Sequence, residues 1–475
     1  MVGIDVGTTA VKVGAFSLSG ELLASHAVAY PTHRPHPGWA EQDADDWWDC
    51  LQEGLRNVGG GHTVRAAGIV SQVNTHVLVD EQLKPLTRAI IWQDQRCATI
   101  AAELDSQFTA EDKQRIWGSP IVLDASFVGA RAEWFARNDP EAWKQAHWIL
   151  SPKDFVAAKL TGRVATDLLS GVRVAGPDGY LPAAVGIVAG LGDKLPEIFP
   201  PETTLGPING LDADLVVGTM DAFGSVFGTA TTRSGRGMIS VGTSLVVAGA
   251  SKTHVPTPGV VTFPPRNGLF VHAGPTQAAG DAVRWWSQVS RLTIPKVFAD
   301  AADGTSNVIF TPYLSGERAP IWDPAVRASF LNMSSATSRA DLSRAVLEGV
   351  AMSGRHVLEA VEKAADSRLH TLAFCGGGAR SDLWAQIFAD VLQRPIQQLK
   401  VHDSAALGAA LLGAVGAGIH PDVEVAAEAT VKVKRTFEPG PEPERYAAYT
   451  RVHQALRDIH SLLNPADPQS RQMGD

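Results

Sequence analysis

The chain carries nearly the same short pattern twice. It opens with Gly3-Ile4-Asp5-Val6-Gly7-Thr8-Thr9-Ala10-Val11-Lys12-Val13-Gly14-Ala15, and about half of its 475 residues later it reads Ile239-Ser240-Val241-Gly242-Thr243-Ser244-Leu245-Val246-Val247-Ala248-Gly249. Each copy is an apolar β-type run, a Gly-Thr-Thr/Ser turn and a second β-rich run. Self-similarity at so long a spacing points to duplicated domains. The length suits two large domains or about three smaller ones.

The turn has a mechanical meaning. Glycine lets the backbone turn tightly and come close to a ligand. Successive N–H groups in such a turn form an anion-binding concavity, and the Thr and Ser hydroxyls add donors. No Gly-x4-Gly-Lys-Ser/Thr phosphate loop occurs, and a strand-like run follows the turn where a dinucleotide fingerprint would have a helix. A single β-turn of this kind would be ordinary. Two of them, the first preceded by an acid, point to a phosphate clamp. The copies differ at that acid: Asp5 leads into the first turn and Ser240 into the second. A carboxylate beside a phosphate loop can hold Mg2+, usually through water, so only the first copy is equipped to do so.

A third glycine-rich stretch is Ala373-Phe374-Cys375-Gly376-Gly377-Gly378-Ala379-Arg380-Ser381-Asp382-Leu383-Trp384. An apolar strand ends, three glycines follow, and Ser381 or Asp382 caps a helix expected to run to about Leu392. The three glycines offer a flat surface to a planar base or ribose. A tight strand-to-helix turn with no ligand would look the same.

The net charge of −9 comes without any run of Lys or Arg, which argues against nucleic acid and against an anionic membrane surface as partner. Cys50, Cys97 and Cys375 are odd in number and far apart, so neither a disulfide framework nor a CxxC metal site is expected. That usage fits a reducing compartment, and an acid stands at position 5 where a signal peptide would be apolar, so a cytoplasmic location is expected. The stretch from Ala405 to Ile419 is too short and too rich in Ala and Gly for a membrane span, and reads as a buried helix. His33 and His36 sit in the Pro-rich loop from Pro31 to Pro37 with no cysteine near them, and His33, His36, His76 and His272 are all read as ordinary residues and not as zinc ligands. The sequence carries no readable dimer interface and leaves a homodimer open.

An ordered series of segments gives the chain a specific resemblance. These are Asp5-Val6-Gly7-Thr8-Thr9 with Lys12, Gly38-Trp39-Ala40-Glu41-Gln42-Asp43, Ile91-Trp92-Gln93-Asp94-Gln95-Arg96, Ser151-Pro152-Lys153-Asp154 through Leu160-Thr161-Gly162, and Gly218-Thr219-Met220-Asp221-Ala222. After them come Val241-Gly242-Thr243-Ser244, Gly316-Glu317-Arg318-Ala319-Pro320, Gly376-Gly377-Gly378 and the Ala/Gly helix from Ala405. In this order the segments resemble the FGGY carbohydrate kinase family, its xylulokinases most of all, to about residue 440. The resemblance implies an α/β fold of two ribonuclease-H-like domains of the actin and sugar-kinase superfamily, with an active-site cleft between them that closes over the substrates. The expected division is 1–225 for an N-terminal, mainly sugar-binding domain, 226–440 for a C-terminal, mainly ATP-binding domain, and 441–475 for a helical tail.

The same resemblance implies roles. Asp221 matches the acid that accepts the hydroxyl proton, and Asp5 helps to hold Mg2+, with Asp221 as a second metal-side carboxylate. Gly7, Thr8, Thr9 and Lys12 face the phosphates of ATP from the first domain, and Gly242, Thr243 and Ser244 from the second. Gly377, Gly378 and Asp382 border the adenosine, and Gly274 falls where kinases of this group turn beneath the nucleotide. On the sugar side stand Gln72, Val73, Asn74, Trp92, Asp94 and Asp221. Asn74 offers a donor and an acceptor to a hydroxyl or ketone, and Trp92 a flat apolar face. Asp94 has two readings: a pair with Arg96, or a bond to a hydroxyl.

Two positions depart from the xylulokinase pattern. Asn74 stands where His is usual, and Ala222 where Asn usually follows the catalytic acid. The Trp92-Gln93-Asp94 wording leans toward glycerol kinases, though their Arg-Glu pair is replaced by Val73-Asn74. The expected reaction is therefore ATP-dependent phosphorylation of a small ketose or polyol. D-xylulose or a related pentulose comes first, with erythritol, glycerol, ribulose or an aldonate as alternatives. An ATP-driven switch of the actin or chaperone kind shares the two hairpins but not the segments from Gly38 to Arg96. A catalytically dead sugar sensor is disfavoured by retention of Asp5, Asp221 and both Gly-Thr turns.

Overall fold

The computed structural model describes residues 1–58, 63–117, 121–305 and 307–463. Both copies of the sequence pattern form hairpins that nucleate a sheet. In the first, Val2–Val6 pairs antiparallel with Ala10–Phe16, Val6 opposite Val11, and Ala10–Phe16 pairs antiparallel with Leu22–Ala29. In the second, Arg236–Val241 pairs antiparallel with Leu245–Ser251, Val241 opposite Leu245, and Leu245–Ser251 pairs with Phe270–Pro275. The first strand of each hairpin takes a parallel neighbour on its other side, Ala67–Ser71 in one case and Thr371–Cys375 in the other. Each hairpin thus sits in a seven-stranded sheet with the same central order. This repetition is the three-dimensional form of the sequence echo.

The strand Val2–Val6 is buried along its whole length, so both faces of the sheet are covered. Val2, Ile4, Val6 and Val13 share a core with Trp47 and Leu51 of the helix Ala44–Val58. On the opposite face the partner is the helix Ser404–Gly416, the Ala/Gly segment of the sequence. A Cβ on Gly3 would overlap the carbonyl oxygen of Ala406. The second sheet has its own core, built around Ile239, Val247, Phe374 and the 27-residue helix Arg339–Ala365. That helix starts with a reciprocal capping box between Ser338 and Asp341.

The chain divides into two compact units, Met1–Gly228 with Ser404–Val431, and Thr229–Asp403 with the chain from Lys432 onward. The first division falls close to the expected 225/226 boundary. The segment Ser404–Val431 differs from expectation: it was assigned to the C-terminal half and packs in the first unit. Within the helical tail expected over 441–475, the described residues form the helix Tyr446–Leu463. Tyr446, Tyr449 and Val452 of the helix Tyr446–Leu463 belong to the core of the second unit, and 464–475 lie outside the described residues.

The helix Asp221–Gly228 packs on Ser404–Gly416 with backbones in contact. A Cβ on Gly408 would overlap the carbonyl oxygen of Gly224, and one on Gly228 that of Ser404. Gly408→Ala is therefore expected to cost about 2–3 kcal/mol, because a carbonyl in a packed helix cannot retreat. Thermal unfolding measures it, and an unchanged melting temperature would contradict this packing. No helix among the described residues is long and apolar enough to cross a membrane.

Candidate active site

In both Gly-Thr turns the carbonyls are tied down. In the first, the Tyr30 hydroxyl donates to Gly7 O, Gln42 Nε2 donates to Thr8 O at 2.8 Å, and Tyr30 N donates to Thr9 O at 3.3 Å. In the second, Gly280 N donates to Gly242 O at 3.0 Å, while Ala279 N and Asp281 N donate to Thr243 O at 2.9 and 3.1 Å. With its acceptors held inward, each turn presents N–H and hydroxyl groups, the polarity an anion needs. The turns are not identical. Gly7 N donates to Ala10 O at 3.1 Å, whereas Gly242 N donates to Ser244 O at 2.9 Å, so the second turn is one residue tighter.

Asp221 is placed by a strand and a helix together. Thr219–Met220 lies parallel to Ala67–Ser71, with Met220 opposite Ser71, and the chain enters the helix Asp221–Gly228 directly. Burial and the nearby Asp5 carboxylate push the pKa of Asp221 up to about 7, against the Ala222 N–H and Lys12, which favour the anion. Lys12 faces Asp5 across the antiparallel pair. Asp5, Lys12, Asp221 and the first turn are thus one electrostatic group. Tyr30 joins it: burial first, then Asp5, raises its phenol, so it stays a neutral donor to Gly7.

Beneath Thr219 lies a buried charge cluster. The ammonium of fully buried Lys153 is 2.5 Å from Asp154 Oδ1 and 3.0 Å from Asp167 Oδ1. Burial works against that charge, yet Asp154 and Asp167 outweigh it and hold the pKa of Lys153 above its usual value. Asp167 Oδ2 accepts from Thr219 Oγ1 at 2.7 Å, so the cluster grips the strand that ends at Asp221.

In the second unit, the strand Thr371–Cys375 gives way to Gly376 at φ +82°, a short 3-10 turn over Gly377–Arg380, and the helix Asp382–Leu392. Ser381 is the cap, accepting from Trp384 N at 3.2 Å. A Cβ on Gly376 would press on the Val241 backbone and one on Gly378 on Val241 and Trp384, whereas Gly377 faces open space. Gly377 is therefore the glycine at which a ligand can approach the backbone. Asp382 accepts from Gln398 Nε2 at 3.1 Å and lies 3.3 Å from Arg435.

Comparison with known proteins accounts for this combination. Residues 1–171 match the N-terminal domain of the FGGY family of carbohydrate kinases, and residues 237–417 match its C-terminal domain. The chain belongs to the FGGY family of carbohydrate kinases. This FGGY kinase is similar to a xylulose kinase of Staphylococcus epidermidis, 28% identical over 96% of each chain, and to a glycerol kinase of Bordetella parapertussis, 28% identical over 98% of each. Among solved structures it is similar to a "xyloylose kinase" from Brucella ovis, with a TM-score of 0.84 at 27% identity, covering 98% of this chain and 99% of that one.

The structure brings some of the expected acceptor-side residues of the FGGY kinase together. Trp92 is half-buried, and its Nε1 donates to Thr8 Oγ1 at 3.0 Å, joining it to the first Gly-Thr turn. Val73 and Asn74 are partly exposed on the loop after Ala67–Ser71, Asn74 at φ +50°. Three other residues stand differently from expectation. Gln72 is 1% exposed, and its Nε2 donates to Gln42 Oε1 at 2.8 Å, so it braces Gln42. Asp94 is 0% exposed, and its two oxygens accept from Arg96 Nε, Arg96 Nη2 and Arg96 N, with Ala40 N at 2.5 Å; the pair with Arg96 is the reading that holds. Arg96 in turn stacks on Trp39, 3.6 Å from the ring centroid. Gly274 lies within a strand opposite Val247 and not in a turn, and a Cβ there would overlap Val357 of the long helix. Gly274 is a packing glycine.

The sequence marked no role for Tyr30 or Gln42, which hold carbonyls of the first turn, nor for Lys153 at the buried cluster. Gln42 lies in the Gly38–Asp43 segment and Lys153 in Ser151–Asp154, so both had a signal. Among the described residues His33, Asp43 and Asp46 bring ligand atoms within 4.8 Å of one another, carboxylates that are not neighbours of His33 in sequence. Arg88 Nε already lies 3.0 Å from Asp43, and the group reads as a surface ion-pair cluster. The three cysteines are buried, and none forms a disulfide among the described residues.

Proposed function

We propose that this kinase transfers the γ-phosphoryl group of ATP to a hydroxyl of a small ketose, D-xylulose first. The observation that carries the proposal is Asp221, a carboxylate with its pKa lifted to about 7 beside Asp5 and the Gly7–Thr9 turn. A general base works best with a pKa near the working pH. Asp221 would take the proton of the acceptor hydroxyl as its oxygen forms a bond to the γ-phosphorus, while the bond to the bridging oxygen breaks and ADP leaves. Gly7, Thr8, Thr9 and Lys12, with Gly242, Thr243 and Ser244, would receive the phosphate oxygens. Gly377, with Gly378 and Asp382 beside it, would border the adenosine. Asn74 and Trp92 would hold the acceptor, supported by Gln72, Asp94 and Arg96 from behind.

Mg2+ fits this set. Asp5 and Asp221 are hard oxygen donors that repel each other, and Asp5 contributes to the raised pKa of Asp221. A divalent cation bound by these carboxylates would relieve that repulsion and neutralise phosphate charge. D-xylulose is supported as acceptor by the similarity to xylulose kinases over 96% of the chain. The test is ADP release with D-xylulose, D-ribulose, erythritol, glycerol and gluconate as acceptors. D-xylulose is expected to raise release at least about tenfold over the acceptor-free rate. A higher kcat/KM with glycerol or gluconate would overturn the acceptor assignment, and no response to any of the five would overturn the transfer itself.

A further inference from the structure

We infer that Arg131 is a positioning residue, a cationic clamp that fixes the two acceptor loops of Asn74 and Trp92 against each other; this rests on the acceptor reading above. Arg131 lies on the helix Val128–Asn138 and is 0% exposed. A buried arginine normally meets a carboxylate. Here the guanidinium spends its donors on the backbone instead. Nη1 donates to the carbonyl of Asn74 and lies 2.8 Å from His76 Nδ1, and Nη2 donates to the carbonyl of Ile91 at 2.8 Å. Among the described residues no carboxylate pairs with it; Asp94 is taken by Arg96 and Ala40.

The partners identify what is clamped. Asn74 and His76 belong to the loop after Ala67–Ser71, and Ile91 immediately precedes Trp92. The same loops are also joined by a backbone pair, His76 N donating to Ile90 O at 3.1 Å and Ile90 N to His76 O at 2.9 Å, and by Trp92 N donating to Thr75 Oγ1 at 3.3 Å; Arg131 adds the tie that reaches Asn74 and Ile91 themselves. Asn74 sits at φ +50°, in the left-handed region that asparagine adopts more readily than most residues, and adjoins a cavity of about 40 Å³ that His76, Ser170 and Tyr180 also line. A planar fork with donors at fixed angles can hold two carbonyls at a set separation, which an ammonium cannot. His76 completes the clamp as a neutral ring, since burial and then Arg131 hold its pKa well below the usual value.

The experiment is Arg131→Lys in the full chain, with KM for both substrates measured using the best acceptor of the panel, D-xylulose by expectation. Acceptor KM should rise about tenfold or more, with ATP KM within about twofold of the parent. His76→Leu should raise acceptor KM several-fold, and His76→Gln, which keeps an acceptor for the guanidinium, should restore it. A lowered melting temperature with both KM values unchanged, or an equal rise in both, would overturn the clamp. Should Arg131→Lys fail to fold, the His76 pair decides: an unchanged acceptor KM in His76→Leu sinks the proposal. Asn74→Ala separates the two readings. If it leaves acceptor KM unchanged while Arg131→Lys raises it, the Asn74 assignment falls and the clamp stands, acting through Trp92.

Discussion

Asp221→Ala should lower kcat by about 10²–10⁴-fold while leaving ATP affinity within a few-fold. The reasoning is that, in the proposed reaction, Asp221 acts on the acceptor proton and other residues would receive the phosphates. A variant turning over within a few-fold of the parent would remove Asp221 from the chemistry. The pH dependence has a definite sign. The base must be ionised, and burial with Asp5 lifts its pKa to about 7. In the ATP-free enzyme kcat/KM should therefore fall about tenfold for each pH unit below about 6. Stability runs the other way. A carboxyl whose pKa is higher folded than unfolded binds its proton more tightly in the fold. Its contribution is present below about pH 4 and is lost as pH rises through about 7. Asp221→Asn should accordingly be more stable than the parent at pH 8, by about 1–3 kcal/mol after allowance for its partial exposure. An inactive variant that is also less stable at pH 8 would contradict the repulsion between Asp5 and Asp221.

Lys153→Met should destabilise the protein by about 3–5 kcal/mol, because it leaves Asp154 and Asp167 buried without their cation. Lys153 is fully buried and touches both. Chemical denaturation read by tryptophan fluorescence measures the loss, and a variant within about 1 kcal/mol of the parent would show that the cluster is hydrated or redundant. The triple change Lys153→Met, Asp154→Asn, Asp167→Asn should recover part of the stability, since no charge is then stranded. Asp167→Asn alone also weakens the bond to Thr219, so its kcat should fall with little change in either KM. That links the cluster to the placement of Asp221.

Features fixed by local chemistry were legible in the sequence. The two Gly-Thr hairpins, the strand-to-helix turn capped by Ser381, and the buried Ala/Gly helix from Ser404 all follow from short-range preferences of Gly, Ser and alternating apolar residues. What was not legible depends on partners far apart in sequence. Hydropathy marks the helix Ser404–Gly416 as buried but is silent about which sheet buries it. Asp94 and Gln72 look like groups aimed at a ligand, because polar residues at the end of a strand are written alike whether they face solvent or a buried partner. Ala40 N and Gln42 decide the matter, and both lie some thirty or more residues upstream. Gly274 resembles a turn glycine until Val357 is seen behind it. Arg131 did leave a trace: it interrupts the apolar face formed by Val128, Ala132 and Phe135, all buried.

The segment Ser404–Val431 has a consequence for how the protein is made. The sheet of the first unit is laid down within the first 228 residues, yet one of its faces stays bare until the helix Ser404–Gly416 has been synthesised. During translation the nascent first unit must wait, open along the backbone of Gly3 and Gly68, while the ribosome adds some 180 further residues. The two halves that look like independent copies in sequence are therefore not independent in the chain: the first unit takes in a segment that lies beyond most of the second. A fragment ending at Gly228 would carry Thr219–Met220 and the helix Asp221–Gly228 and still lack the helix that packs on it. A segment made late in the chain completes the unit made first, so the helix that begins at Asp221 gains its partner only after Ser404–Gly416 has been made.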